Sequence, residues 1–141
     1  MTNDCKNDES IKKCLFCKLK NSKDSILHEN EHCYVLVDRF PASECHLLVV
    51  SKDHHVKLHE SNEETLLECV KMLQFLAIKL NLKKYQVVNN NEHYQIVKHM
   101  HFHLCQADNT GNYYSPERRE YSDEEYKQIV SDFKISLNKF Y

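Results

Sequence analysis

Within residues 98–105, "KHMHFHLC", polar and apolar residues alternate strictly from His99 to Leu104. Successive side chains of a strand point to opposite faces. The stretch "VKHMHFHLC" therefore predicts a strand with Met100, Phe102 and Leu104 on one face and His99, His101 and His103 in a row on the other. Upstream, "ILHENEHCYVLVD" predicts a hairpin, with a short strand at 26–29, a turn through Asn30 and Glu31, and a second strand from Cys33 to Asp38. "RFPASEC" breaks the pattern, and "HLLVVS" (46–51) predicts a strand whose continuous apolar run requires burial on both faces. "YQVVNN" supplies a further strand, joined to the histidine strand by the polar loop "NNEHYQ".

The period lengthens to a helical one in "SNEETLLECVKMLQFLAIKLNL". Ser61 and Glu64 stand at capping-box spacing, and Leu66, Val70, Leu73, Ala77 and Leu80 form the apolar face of a long helix. A second capping-box pair, Ser122 and Glu125, opens a terminal helix carrying Tyr126, Ile129, Val130, Phe133 and Leu137. Together these elements predict an α+β fold, an antiparallel meander sheet with the long helix on one face and a C-terminal helix. Residues 1–12 read as a flexible polar tail and 13–141 as a single domain. Its core is 14–105, followed by a C-terminal extension with its helix, 106–141, in which "TGNYYSPERRE" is irregular.

A chain of 141 residues suits one compact domain. Its net charge of -2, with lysines scattered among acids, lacks the basic footprint of a nucleic-acid binder. The N-terminal "MTNDCKNDESIKKC" has no apolar signal-peptide core, and no later apolar run approaches ~18 residues. A soluble protein of the cytoplasm or nucleus, with no membrane partner, is expected. Seven cysteines in a reducing compartment need not pair; Cys33, Cys45, Cys69 and Cys105 read as small buried hydrophobes. With Gly111 the one glycine, no glycine-rich phosphate loop can form, so any phosphate is held by other means.

The histidine row admits three chemistries. It is the polar face of a half-buried strand, a metal triad with an open position for water, or a nucleophilic imidazole oriented by its neighbours. Cys14 and Cys17 form a Cys-x-x-Cys pair that fits zinc, a redox motif or two core thiols. A closed tetrahedral zinc site needs two more ligands, and His54 or His55 in "SKDHH", together with His99, are available. That assignment leaves His101 and His103 for chemistry. Imidazole, with a reference pKa of about 6.5, is largely neutral near pH 7 and attacks phosphorus without a separate base. Its attacking nitrogen keeps a lone pair when the proton sits on the other nitrogen, facing an acceptor such as a backbone carbonyl.

The form His-φ-His-φ-His-φ-φ of "HMHFHLC" resembles the signature of the histidine-triad (HIT) nucleotide hydrolases and transferases, and the zinc-site Hint branch in particular. "CLFCKL" is similar to the family's zinc-binding cysteine pair, and "LVDRFPASECHLLVVSKDH" to its strand-turn-strand stretch. The resemblance runs from about Cys14 to Cys105 and implies a purine nucleoside 5′-phosphoramidate hydrolase. In that reading His101 is the nucleophile that forms a nucleotidyl-histidine, His103 contacts the phosphate oxygens, Gln95 lies near the leaving group, and His46 stands behind the triad. Asp38 would grip the ribose hydroxyls. Leu15, Phe16, Leu19, Leu36 and Leu48 would surround the base, and Asn89 would close the site. Zinc would be held structurally by Cys14, Cys17, His54 and His99, and the protein would pair as a homodimer through the long helix and the adjacent strand.

The chain departs from the family just before the triad. A Gly-Gln-Ser/Thr run is usual there, and here the residues are Tyr94, Gln95 and Ile96, which removes a hydroxyl donor and adds a bulky ring. Arg39 stands where an apolar residue is common and could offer a charge to a longer phosphate chain. A dinucleoside polyphosphate is therefore the alternative substrate, and a catalytically weak nucleotide-binding module the alternative of a different kind.

Overall fold

The computed structural model describes residues 8–107 and 118–139. Five strands form one sheet: β1 (His28–Glu29), β2 (Cys33–Val37), β3 (His46–Ser51), β4 (Tyr85–Val88) and β5 (His101–Gln106). Their order is β1-β2-β3-β5-β4, every neighbouring pair being antiparallel. The first three strands follow one another as a meander. The next connection does not: it passes through helix α3 (Glu63–Lys79) to the far edge, and β5 then returns between β3 and β4. In this order β5 is hydrogen-bonded along both edges, to β3 on one side and β4 on the other, so the backbone of the histidine strand is paired within the sheet.

On one sheet face, Val35, Val37, Leu47, Val49 and Leu104 meet Cys69, Met72, Leu73 and Leu76 of α3 and Val130 and Leu137 of α4 (Asp123–Leu137) in the main core. A fully buried side chain of this size contributes about 1.5–3 kcal/mol, so this layer carries most of the stability. On the other face Tyr34, Leu36, Leu48 and Val50 pack against Phe16, Cys17 and Cys14. Phe16 and Cys17 belong to the short helix α2 (Leu15–Leu19), preceded by α1 (Asp8–Lys13). The expected tail is thus helical where it is described, and the helices occupy both faces of the sheet. The Tyr34 hydroxyl donates to the Phe16 carbonyl, tying α2 to the sheet.

The long helix is rotated from its expected face. Its buried residues are Thr65, Cys69, Met72, Leu73 and Leu76, whereas Val70 is 48% and Leu67 54% exposed. Apolar residues run nearly all round this helix, so period alone could not choose the face that meets the sheet. Its cap shifts accordingly: the Asn62 side chain, not that of Ser61, accepts the Thr65 N–H. The C-terminal capping box forms as expected, with Ser122 and Glu125 bonded reciprocally. The extended histidine segment is shorter than expected, because β5 begins at His101 and His99 lies outside the strand. "TGNYYSPERRE" lies mostly outside the described residues.

Loss of the observed cap should be measurable. Asn62→Ala is expected to cost about 1 kcal/mol, while Ser61→Ala, which removes a buried hydroxyl without a partner, leaves stability unchanged or raises it. Urea unfolding of both variants checks this, and equal losses would refute Asn62 as the cap.

Candidate active site

Register builds the site. In the β3–β5 pairing, Val50 faces His101, Leu48 faces His103 and His46 faces Cys105. His46, His101 and His103 therefore share one sheet face with Tyr34 and Leu36 of β2. All three imidazoles are buried. The Phe16 ring is nearly perpendicular to the His101 and His99 rings, with centroids 5.0 Å and 5.8 Å away.

Hydrogen bonds fix the proton on each ring. The His101 Nδ1–H donates to the His99 carbonyl at 2.7 Å, which leaves the lone pair on Nε2. His46 Nδ1 accepts the Ala42 N–H at 3.0 Å, so its proton is on Nε2, and that proton is donated to His103 Nδ1 at 2.9 Å. His103 then carries its own proton on Nε2. The row thus offers a nucleophilic nitrogen at His101 and a donor at His103. Burial disfavours the charged forms: it pushes the pKa of His46 down to about 3 and that of His103 to about 2, and lowers that of His101.

Asp38 lies at the edge of this row, buried at the end of β2. Its Oδ1 accepts the Phe40 N–H at 2.8 Å. Its Oδ2 is 3.3 Å from His46 Nε2, 3.7 Å from His103 Nδ1 and 2.6 Å from Arg118 Nη2. Burial raises its pKa, opposed by the Phe40 N–H and by Arg118. Arg118 also donates from Nε to the Phe40 carbonyl at 2.6 Å. Sequence reasoning missed Arg118. It stands 80 residues from Asp38 in a stretch with no periodic pattern, and only its charge could have drawn notice.

His99 takes a different role from the rest of the row. It lies with Cys14, Cys17 and His54 in a cluster whose ligand atoms are all within 4.8 Å of one another. Cys14 Sγ is 3.3 Å and Cys17 Sγ 3.6 Å from His99 Nδ1; His54 Nδ1 is 3.2 Å from both Cys17 Sγ and His99 Nδ1. Zn–S bonds of about 2.3 Å and Zn–N bonds of about 2.0–2.1 Å at tetrahedral angles separate S from N by about 3.6 Å and N from N by about 3.4 Å. The cluster fits that ion. His99 Nε2–H donates to the Ser51 carbonyl at 2.6 Å, which turns the Nδ1 lone pair toward the thiols. His54 rather than His55 joins the group; His55 instead offers its backbone carbonyl to Met100 N–H. Among the described residues, the two groups with ligand geometry are this one and Asp38, His46 and His103, so an open triad of His99, His101 and His103 does not assemble.

The remaining expected residues are spread around the site. Leu36 and Leu48 are buried beneath it, while Leu15, half exposed, and Leu19 line a cleft of about 650 Å³ with Phe40 and, from α4, Tyr126 and Lys127. Asn89 donates to the His101 carbonyl at 2.8 Å and so pins the triad strand. Gln95 is buried, accepting the Glu92 N–H at 2.9 Å and donating to the Val56 carbonyl at 2.8 Å, bonds that hold the loop before the triad. Tyr94 adopts φ 59°, the left-handed region that glycine favours, with its ring 81% exposed. The loop keeps a glycine-like turn without the glycine. Arg39 is turned away from the triad, donating to the Tyr121 carbonyl at 2.8 Å and to Asp123 at 2.6 Å.

A family model, the HIT domain, matches residues 20–110. With the sheet and its histidine row, that match defines the class: the chain belongs to the HIT domain family. Adenosine 5'-monophosphoramidase HNT1 of Saccharomyces cerevisiae is 36% identical over 95 residues, 64% of this chain, and the chain spans 60% of that protein's length. Adenosine 5'-monophosphoramidase hnt1 of Schizosaccharomyces pombe is 30% identical over 100 residues, covering 68% of this chain and 75% of that one. Among solved structures, a Zn-bound histidine triad family protein from Mycobacterium smegmatis has the same fold. It superposes with a TM-score of 0.71 at 24% identity, over 91% of this chain and 97% of that one. Both yeast relatives carry the name adenosine 5'-monophosphoramidase.

Two observables follow from the buried imidazoles. Nitrogen-15 spectra should show His101 as the Nδ1–H tautomer and His46 and His103 as Nε2–H tautomers, with His46 and His103 uncharged at pH 5. Because their pKa values are depressed on folding, the unfolded chain binds more protons below about pH 6.5. Their contribution to stability is full above that pH and falls as pH drops toward 3. An imidazolium at His103 at pH 5 would refute the relay.

Proposed function

We propose that the protein hydrolyses purine nucleoside 5′-phosphoramidates through a nucleotidyl-histidine. The observation that carries this reading is the His101 Nδ1–H bond to the His99 carbonyl, 2.7 Å long, which reserves Nε2 as the nucleophile. Nε2 attacks the α-phosphorus of a phosphoramidate protonated on nitrogen, so that the P–N bond breaks to release a neutral amine and leaves a nucleotidyl-imidazolium; water then displaces the imidazole, giving the mononucleotide and one proton to solvent. His103 Nε2–H donates to a non-bridging oxygen and stabilises the charge that develops there. His46 holds His103 in that tautomer. Asp38 is assigned to the ribose, Leu15, Phe16, Leu19, Leu36 and Leu48 to the base, Asn89 to closing the site, and Gln95 to shaping its leaving-group loop. The phosphoramidase names of the two yeast relatives support this substrate class.

Zinc belongs to the same proposal. Cys14, Cys17, His54 and His99 would hold it, and when bound it would tie α2 to the loop after β3 and to the segment entering β5. The ion has no part in the reaction. A homodimer is also proposed. Leu67, Val70 and Ile78 of α3 and Tyr85 and Val87 of β4 are exposed apolar residues on the helix and edge strand assigned to pairing.

Release of AMP from adenosine 5′-phosphoramidate is the test of the chemistry. His101→Ala is expected to lose more than about 100-fold in kcat; a loss below about tenfold would refute the nucleophile. No release by the unaltered protein would favour dinucleoside polyphosphates first and a binding module next. Native mass spectrometry reads the zinc and the dimer together: two chains with two zinc ions are expected. Zinc should be lost in Cys14→Ser and retained in His103→Ala. The reverse pattern would overturn the ligand set, and a monomer at micromolar concentration would overturn the dimer.

A further inference from the structure

A phosphate site built from neutral imidazoles beside a buried carboxylate faces an electrostatic difficulty. Burial keeps His46 and His103 uncharged, and Asp38 Oδ2 lies 3.3 Å from His46 and 3.7 Å from His103. An anion bound on the far nitrogen of His103 would sit about one imidazole and one hydrogen bond from that carboxylate. The hydroxyl donor usual before the triad is absent, with Ile96 in its position and 85% exposed, and the Arg39 guanidinium is bonded to Asp123.

We propose that Arg118 is the positioning residue that makes this site accept an anionic phosphate: its guanidinium, bonded to Asp38 Oδ2 at 2.6 Å and to the Phe40 carbonyl at 2.6 Å, cancels the carboxylate's charge beside the triad. Arg118 acts through Asp38 and needs no contact with the substrate. Its field reaches the row, since it disfavours the imidazolium forms of His46 and His103. Its side chain is 19% and that of Asp38 9% exposed, so solvent screens the pair weakly. Loss of the cation leaves an unpaired negative charge within several ångströms of the α-phosphate. That should weaken binding of an anion on the order of tenfold or more, with no matching effect on a neutral ligand.

The inference rests on the nucleotide reading of the site but not on turnover, so binding tests it. Isothermal titration calorimetry with AMP and with adenosine at low ionic strength would compare the unaltered protein, Arg118→Met, Arg118→Lys and the double variant Asp38→Asn with Arg118→Met. In Arg118→Met the ratio of AMP to adenosine affinity is expected to fall about tenfold or more. Arg118→Lys, which restores charge but not the fork of bonds, should recover most of it. The double variant, which removes both charges, should recover the ratio even where a lost ribose contact weakens both ligands alike. Equal weakening of AMP and adenosine in Arg118→Met would mean a merely structural role and overturn the inference, as would an unchanged ratio or a double variant as poor in the ratio as the single. Binding of neither ligand by the unaltered protein would overturn it together with the nucleotide reading. Binding that behaves as expected without hydrolysis would overturn the phosphoramidase reading alone.

Discussion

The pairing of β3 with β5 is the constraint on which the rest of the molecule depends. A single register, Leu48 opposite His103 and Val50 opposite His101, sends Leu47, Val49 and Leu104 into the core under α3 and the imidazoles to the opposite face. A slip of one residue would exchange the two sets and put three histidines among leucines. Both strands are flanked on each side, by β2 and β4, so their backbone groups are paired within the sheet and the row is held rigidly. The relay from Ala42 through His46 to His103 follows from the same register, because it places β3's first residue beside β5's third.

The histidine row is divided by where the strand begins. His101 and His103 lie within β5, while His99 precedes it, held by the Ser51 carbonyl and facing two thiols and His54. One backbone unit serves both sites, since the His99 carbonyl accepts the His101 Nδ1–H while the His99 ring belongs to the cluster. Whatever fixes the His99 ring therefore also fixes the tautomer of its neighbour. Phe16, set against both rings by α2, adds a packing link between the two centres.

Burial governs the electrostatics of the face. It keeps the imidazoles neutral and so keeps lone pairs where attack needs them, but it also places a carboxylate where water cannot screen it. The Arg118–Asp38 pair answers that problem with a residue from beyond the sheet. The C-terminal part of the chain is thus tied to the site twice over, by Arg118 at Asp38 and by Arg39 at Tyr121 and Asp123.

Much of this was legible in the sequence, wherever the information is local. Alternation from His99 to Leu104 determined the two faces of the histidine strand, because the period of a strand is fixed by backbone geometry. The apolar run of 46–51 determined a central strand buried on both faces, and Ser122 with Glu125 determined the cap of α4. Residue spacing offered Cys14, Cys17, His99 and either His54 or His55 as a ligand set, the family resemblance named His54, and the fold brings His54 into the cluster. What tertiary structure alone decided is of a different kind. The face of α3 and its Asn62 cap were set by the sheet it had to cover, since apolar residues nearly encircle that helix. The insertion of β5 between β3 and β4 pairs both of its edges, a non-local arrangement that no local pattern encodes. The Arg118–Asp38 pair joins positions 80 residues apart, and no periodicity encodes a contact between a turn and a distant irregular segment; it exists only when packing brings a buried carboxylate and a cation together.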